Sequence, residues 1–376
     1  MKVLIVMPSG KKRGGAEEAL CQAWASAAAA EQDWGCVVLE RGELAAELKT
    51  LGGSRRVVEL DAGRLRQPIR FLRTILAIRR LVREGGYDLV LGWMTKAHLY
   101  GGLAAWLAGR PAGYFQMGLP DRGRVDRLSR GLPAAGAIGC SRFVAGEQGR
   151  LVSYPVFPVP LAADLKKFAR ATATSPAETK KRLGFDPARP LVGIVGRLQH
   201  WKGLHVFAEA IALVAQHVPE IQAVIVGGAH DLEPGYEPWL RQRVAELGLA
   251  DRLRFAGAQS NPEQWMQAMD VFVHASDREP FGIVVVEAMA LGKPVIATIP
   301  GGPEEIIAHG VNGLLVPQGD ARQLAAALQR FLGQPAFAAE CGRAAYQRAR
   351  DFSVERYVQN LVAALQKIAA ASRPSS

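Results

Sequence analysis

The sequence predicts an α/β protein of two doubly wound domains, each a parallel sheet covered by helices on both faces. Short, nearly continuous apolar runs alternate with helical stretches, the pattern of strands buried on both sides and returned in parallel by crossover helices. The alternation occurs twice, interrupted over residues 169–189 by a shift to Thr, Ser, Pro, Lys and Glu, as expected of a link. The 376 residues exceed what one core holds, so domains at 1–168 and 190–350 are expected, followed by a C-terminal helix within 351–376.

In the first series, Val3 to Met7 reads as a buried strand. Its charged start and short apolar run resemble a leader, but the run is too short and Pro8-Ser9-Gly10-Lys11-Lys12-Arg13-Gly14-Gly15 stands where a cleavage site would be. A helix is expected from Ala16 to Ala30, then strands at Cys36 to Leu39 and Arg56 to Leu60. A long helix from Pro68 to Glu84, a strand at Tyr87 to Gly92 and a helix from Ala97 to Ala108 follow. Runs at Ala112 to Gln116, Ala137 to Cys140 and Val156 to Pro160 complete the sheet. The second series has strands at Leu191 to Gly196, Gln222 to Gly227, Arg252 to Gly257, Val271 to His274 and Val295 to Thr298. Between them lie helices starting at Gly203, Glu237, Glu263 and Ile283, the last closed by Gly292 and Pro294. From Ala321 to Ala371 only helical segments follow, and Ser372 to Ser376 read as frayed.

Composition excludes several classes. No window approaches the roughly 20 apolar residues of a membrane span. Cys21, Cys36, Cys140 and Cys341 are scattered and the histidines form no HExxH pair, so a reducing cytoplasm and no essential metal or cofactor are expected. Of the net charge of +11, residues 1–165 carry +8, with 23 Lys and Arg against 15 Asp and Glu; the remainder carries +3. The first half is therefore the side expected to face an anionic partner. Nucleic acid is not expected, because the basic residues have no aromatic interleaving.

The most informative stretch runs from Asp277 to Ala290: a strand end, a loop with Pro280 and Gly282, then a helix start. The first N–H groups of a helix lack internal partners and the macrodipole is positive there, so the turn is an anion site. Glu279 and Glu287 bracket it, suiting a molecule with a diphosphate in the middle and sugar hydroxyls at each end. Either acid alone is as readily explained by its preference for a helix N-terminus. Gly196-Arg197-Leu198 and Trp201-Lys202-Gly203, after the first strand of the second series, add a guanidinium and an ammonium able to neutralise a diphosphate leaving group.

Gly-Arg-Leu-x3-Lys-Gly followed by Glu-x-Phe-Gly-x4-Glu-Ala-x-Ala-x-Gly-x-Pro-Val resembles the retaining glycosyltransferases of GT-B fold, family 4. The match continues through Gly301-Gly302-Pro303-Glu304-Glu305 and Asn312-Gly313-Leu314. It is weaker in the first half, at Gly14-Gly15-Ala16-Glu17, Tyr87-Asp88-Leu89-Val90 and Gly139-Cys140-Ser141. The resemblance implies two Rossmann-like domains facing a central cleft, the first binding acceptor and the second the nucleotide sugar, with the C-terminal helix packing back across the cleft. It further implies a metal-independent transfer from a nucleotide-diphosphate sugar to a glycan or lipid-linked acceptor in envelope, lipopolysaccharide or exopolysaccharide synthesis. Arg197 and Lys202 match the pair on the diphosphate and Glu279 the acid near the reacting carbon. The amides of Phe281, Gly282, Ile283 and Val284 match the phosphate and sugar cradle, Glu287 the ribose-binding acid, and Gly14 and Gly15 the first-domain loop near the donor.

Two positions depart from the pattern. Many relatives have a histidine where this chain has Gln116, which can hydrogen-bond a hydroxyl but cannot act as a base; front-side attack, with the leaving phosphate taking the acceptor proton, dispenses with one. The usual Asn-Gly-x-Asp is Leu161-Ala162-Ala163-Asp164. Lys96, His98 and Gln116 are the candidate acceptor contacts. A non-catalytic sugar-nucleotide-binding subunit, or an epimerase of the same architecture, would use the same donor residues. The Pro68 to Glu84 helix, with Arg70, Arg73, Arg79, Arg80 and Arg83, reads either as a helix packed on the sheet with a solvated basic face or as a docking helix for an anionic membrane surface.

Overall fold

The computed structural model describes residues 1–371 apart from Arg13, Arg64 and Arg122. Arg13 of the expected basic loop and the expected frayed end Ser372 to Ser376 therefore lie outside the described residues. The chain divides into two compact units, Met1–Ala162 with Val354–Ser376, and Ala163–Ser353.

The first unit is built on seven strands, β1 (Lys2–Met7), β2 (Asp33–Val38), β3 (Val57–Glu59), β4 (Leu89–Trp93), β5 (Ala112–Gln116), β6 (Gly136–Gly139) and β7 (Val156–Pro158), in the order β3-β2-β1-β4-β5-β6-β7. Every pairing is parallel. β1 is buried from Val3 to Met7 because helices cover both faces, so its alternate side chains are all apolar. The order reverses between β1 and β4, which opens a switch point at their carboxyl ends.

The second unit contains β8 (Leu191–Val195), β9 (Gln222–Val226), β10 (Leu253–Gly257), β11 (Val271–His274), β12 (Val295–Ile299) and β13 (Leu314–Pro317), in the order β10-β9-β8-β11-β12-β13, again all parallel. Its switch point lies between β8 and β11, paired Val271 to Val192 and Val273 to Ile194. Both sequence motifs follow these two strands, so the topology places them side by side. Val192, Ile194, Val271 and Val273 belong to one buried core with Leu204, Phe207 and Ile211 of the helix Leu204–Ala215.

One expectation is corrected, and two further segments gain detail. The helix expected from Ala16 to Ala30 is two, Gly15–Ala25 and Ala27–Ala30: Ser26 leaves the helical region and its hydroxyl accepts from the Ala29 amide at 3.1 Å, serine being a better cap than helix interior. Residues 169–189 contain the helix Pro176–Arg182, and the second compact unit begins at Ala163. Their Ser, Pro and Glu are a capping box, with Ser175 and Glu178 each bonded to the other's backbone amide and Pro176 at the first helical position. Lys180 then ties that helix to Asp270 at 2.6 Å. The C-terminal helix, whose first residue Val354 opens the returning segment, belongs to the first unit. Gly113 and Gly136 give it room: a Cβ on either would lie within 3.3 Å of the Ile368 side chain.

Candidate active site

The loops after β8 and β11 are held together by backbone. Gly203 has φ +67° and a Cβ there would lie 2.0 Å from the Ala275 carbonyl oxygen, while the Asp277 amide donates to the Trp201 carbonyl at 2.7 Å. Glycine is therefore required twice over, for conformation and for approach. Gly203→Ala is expected to destabilise the protein by at least about 2 kcal/mol, read as a lowered urea midpoint; an unchanged midpoint would show that the loops are not so tightly joined.

This approach delivers Lys202, at the end of the short turn His200–Lys202, to Glu279: Nζ lies 2.7 Å from Oε2. The ammonium also sits 4.0 Å from the centroid of the Trp201 ring. A second donor meets the same carboxylate oxygen from the sheet side, His274 Nε2 at 3.0 Å. Ser276 Oγ lies 3.1 Å from that nitrogen, and the Ser276 carbonyl accepts from the Thr298 hydroxyl of β12. Burial alone would push the Glu279 carboxyl above its ordinary pKa; the Lys202 ammonium and the His274 hydrogen bond overcome it and hold the group well below the usual carboxylate range.

The loop after β12 closes the other side. The Gly302 amide donates to the Glu279 carbonyl at 2.8 Å, and a Cβ on Gly302 would lie 2.3 Å from Phe281 Cα. Gly282 then turns the chain with φ +101° into the helix Ile283–Ala290. Ile283 and Val284 occupy its first two positions, where N–H groups have no intrahelical acceptor. The Phe281 ring is buried and packs edge-on against Phe352, with centroids 5.7 Å apart, so it anchors the turn while its amide stays in the loop. Glu287 is half-buried one turn further, on the face of Ile283. Lys202, Glu279 and the Phe281 to Val284 amides are thus brought together around one helix start. Arg197 belongs to the same β8 loop but is exposed and turned to His230, Nη1 to Nε2 3.1 Å.

The other candidates lie in the first unit. Gly14 and Gly15 are exposed at the start of the helix after β1. Lys96 is exposed in the first turn of the helix Thr95–Ala108. His98 is fully buried, its ring 4.9 Å from that of Tyr114, and burial lowers its pKa to about 4, so it is a neutral core side chain. Gln116 is also buried; its amide accepts from the Thr95 hydroxyl and donates to the Gly118 carbonyl at 2.9 Å, closing the turn after β5.

Residues 176–348 match the family model described as glycosyl transferases group 1. The match lies within the second unit, which is similar to group 1 glycosyl transferases. Over 194 residues the chain is 33% identical to the lipopolysaccharide core biosynthesis mannosyltransferase LpsB of Rhizobium meliloti, covering 51% of this chain and 55% of that one. Over 295 residues it is 31% identical to the D-inositol 3-phosphate glycosyltransferase of Streptomyces avermitilis, covering 72% and 63%. The chain spans about half the length of the first curated relatives it matches. Among solved structures, Anabaena Alr3699/HepE in complex with UDP is similar with a TM-score of 0.84 and 26% identity, over 97% of this chain and 100% of that one; the same protein is also known with UDP-glucose. Both units thus have the parallel-sheet, Rossmann-like architecture of GT-B glycosyltransferases.

Arg197, Lys202, Glu279, Phe281, Gly282, Ile283, Val284 and Glu287 all fall inside the matched segment, whereas Gly14, Gly15, Lys96, His98 and Gln116 fall outside it. Sequence reasoning passed over His274 and His230. His274 read as the last residue of an apolar strand; the available signal was a polar side chain at a strand's carboxyl end, five residues before the acid. His230 carried no such signal, because the β9 loop meets Arg197 only through the pairing of β8 with β9.

Proposed function

We propose that the chain is a retaining glycosyltransferase that moves a sugar from a nucleotide-diphosphate sugar to a glycan or lipid-linked acceptor in cell-envelope polysaccharide synthesis, without an essential metal ion. The observation that carries the proposal is the Lys202–Glu279 pair at the open N-terminus of the helix Ile283–Ala290. It sets a cation and free amides for a departing diphosphate beside an ionised acid for the sugar. Arg197 supplies a second cation once it leaves His230. HepE, known with UDP and UDP-glucose, supports a uridine nucleotide among the donors to try. The LpsB and D-inositol 3-phosphate glycosyltransferase similarities support an envelope or polyol-type acceptor. With the Gln116 amide engaged within its unit, front-side attack with proton transfer to the leaving phosphate fits the residues present.

The test is a panel of UDP, GDP and ADP sugars offered with lipid-linked acceptors, with and without EDTA. Retention of anomeric configuration and an EDTA-insensitive rate are expected. Donor binding with neither transfer nor hydrolysis would mark a binding subunit, and interconversion of free donor an epimerase.

A cytoplasmic, membrane-surface setting is part of the same proposal. The described cysteines are buried thiols, and no helix among the described residues is long and apolar enough to cross a membrane. The helix Pro68–Glu84 packs on its sheet through Ile75, Ile78 and Val82, yet leaves Ile69, Leu72 and Leu76 exposed; Trp106 of the helix Thr95–Ala108 is exposed as well. Arg79 bridges the two helices by donating to the Leu107 carbonyl at 3.0 Å. Apolar side chains among arginines suit insertion into an anionic lipid surface. Replacing Ile69, Leu72 and Trp106 by serine is expected to reduce flotation with anionic liposomes by at least about tenfold. Equal binding to neutral vesicles, independent of salt, would contradict the electrostatic part.

A further inference from the structure

Lys202 serves two anions in the proposed reaction, the Glu279 carboxylate and the donor diphosphate. If Lys202 alone fixed Glu279, the carboxylate would follow the ammonium as it turned to the phosphate. The second hold comes from His274, whose ring is 3% exposed and sits on β11, paired on both sides by β8 and β12. We propose that His274 is the positioning residue that keeps Glu279 aimed at the transferred sugar while Lys202 engages the diphosphate. The inference rests on the assignment of Glu279 given above.

The hydrogen-bond inventory specifies how. An ionised carboxylate only accepts, so the proton of a neutral His274 ring lies on Nε2 and is donated to Glu279 Oε2. Nδ1 is then bare; it is buried and has no partner among the described residues, which leaves no competing donor to turn the ring. Ser276 Oγ lies beside the same N–H, and the Ser276 carbonyl is fixed by Thr298. The ring is thus held by strand β11 and the loop behind it, independently of Lys202. A carboxylate released from such a hold drifts by the order of 1 Å, which costs roughly 10²-fold in rate when the group must meet one substrate atom.

The test uses the full-length chain with His274→Ala, His274→Gln and Glu279→Gln, assayed for UDP release from UDP-glucose in parallel with GDP and ADP sugars. His274→Ala is expected to lower kcat by roughly 10- to 100-fold with donor KM changed less than about threefold. His274→Gln is expected to recover most of the loss, because its amide nitrogen reaches the place of Nε2. A readout independent of turnover is the histidine ring N–H proton resonance. One downfield signal is expected in the wild type, absent in His274→Gln and displaced in Glu279→Gln. A wild-type kcat in His274→Ala alongside a slow Glu279→Gln would overturn the role of His274 and leave that of Glu279 standing. Full rate in Glu279→Gln would remove the assignment on which both rest. A His274 signal that is missing, or indifferent to Glu279→Gln, would overturn the inference whatever the rates.

Discussion

Lys202→Ala is expected to lower sugar transfer by about 10²- to 10³-fold, the usual consequence of removing a pre-placed charge from a developing anion. The same change should destabilise the protein, because Glu279 stays enclosed with His274 as its remaining partner. A fully enclosed ion pair broken on one side loses roughly 3–5 kcal/mol; with the retained histidine, about 2–3 kcal/mol is expected here. The pH dependence distinguishes this origin from generic misfolding. Glu279 has a folded-state pKa below its ordinary 4.5, so its contribution to wild-type stability is present above that value and is lost as pH falls through the lower, folded one. Without Lys202 burial is opposed by His274 alone, so the folded pKa lies higher than in the wild type and the carboxyl takes up a proton at less acidic pH. The stability gap between wild type and Lys202→Ala should therefore be widest near neutrality and narrow as pH drops below 4.5, measured by urea unfolding across the range. A gap independent of pH would show that Lys202 does not stabilise through Glu279.

Glu279→Ala is the second large effect, an expected fall of about 10²-fold or more in transfer, from loss of the group proposed to orient the sugar. Its stability cost should be smaller than that of Lys202→Ala, because the freed ammonium can turn toward water on its flexible stem, whereas a buried carboxylate has no such escape. UDP binding, measured by calorimetry, should persist or strengthen, since the ammonium no longer has a resident anion. Loss of nucleotide binding in this variant, with the fold intact, would show that Glu279 builds the diphosphate site itself. Comparable stability losses in both variants would contradict the unequal burden placed on the two charges.

Much of this site was legible in the chain because each feature is local. The helix start after Gly282 is announced by a strand, a Pro-Phe-Gly loop and an apolar helix, all within 20 residues, so the free amides of Ile283 and Val284 follow from order alone. Gly203 and Gly302 also stand out in sequence, but why they are glycine is a matter of distance: one abuts the Ala275 carbonyl and the other Phe281 Cα. Their partners come from other loops of the same sheet edge. The burial of His98 was not legible for the opposite reason, since a histidine near a strand end looks alike in sequence whether its ring faces solvent or, as here, the ring of Tyr114.

By itself the sequence determined the alternation of buried strands and helices, the two parallel sheets, and the order of loop, acid and helix start from Asp277 to Ala290, because hydrophobic period and turn chemistry act over a few neighbours. Only the tertiary structure decided that Lys202 meets Glu279, that His274 grips the same carboxylate, and that Gln116 and His98 are spent inside their own unit. Those outcomes depend on strand order, which sets β8 beside β11 although 75 residues separate their ends. No local pattern encodes that neighbourhood; it arises when the whole apolar surface of the sheet is buried at once.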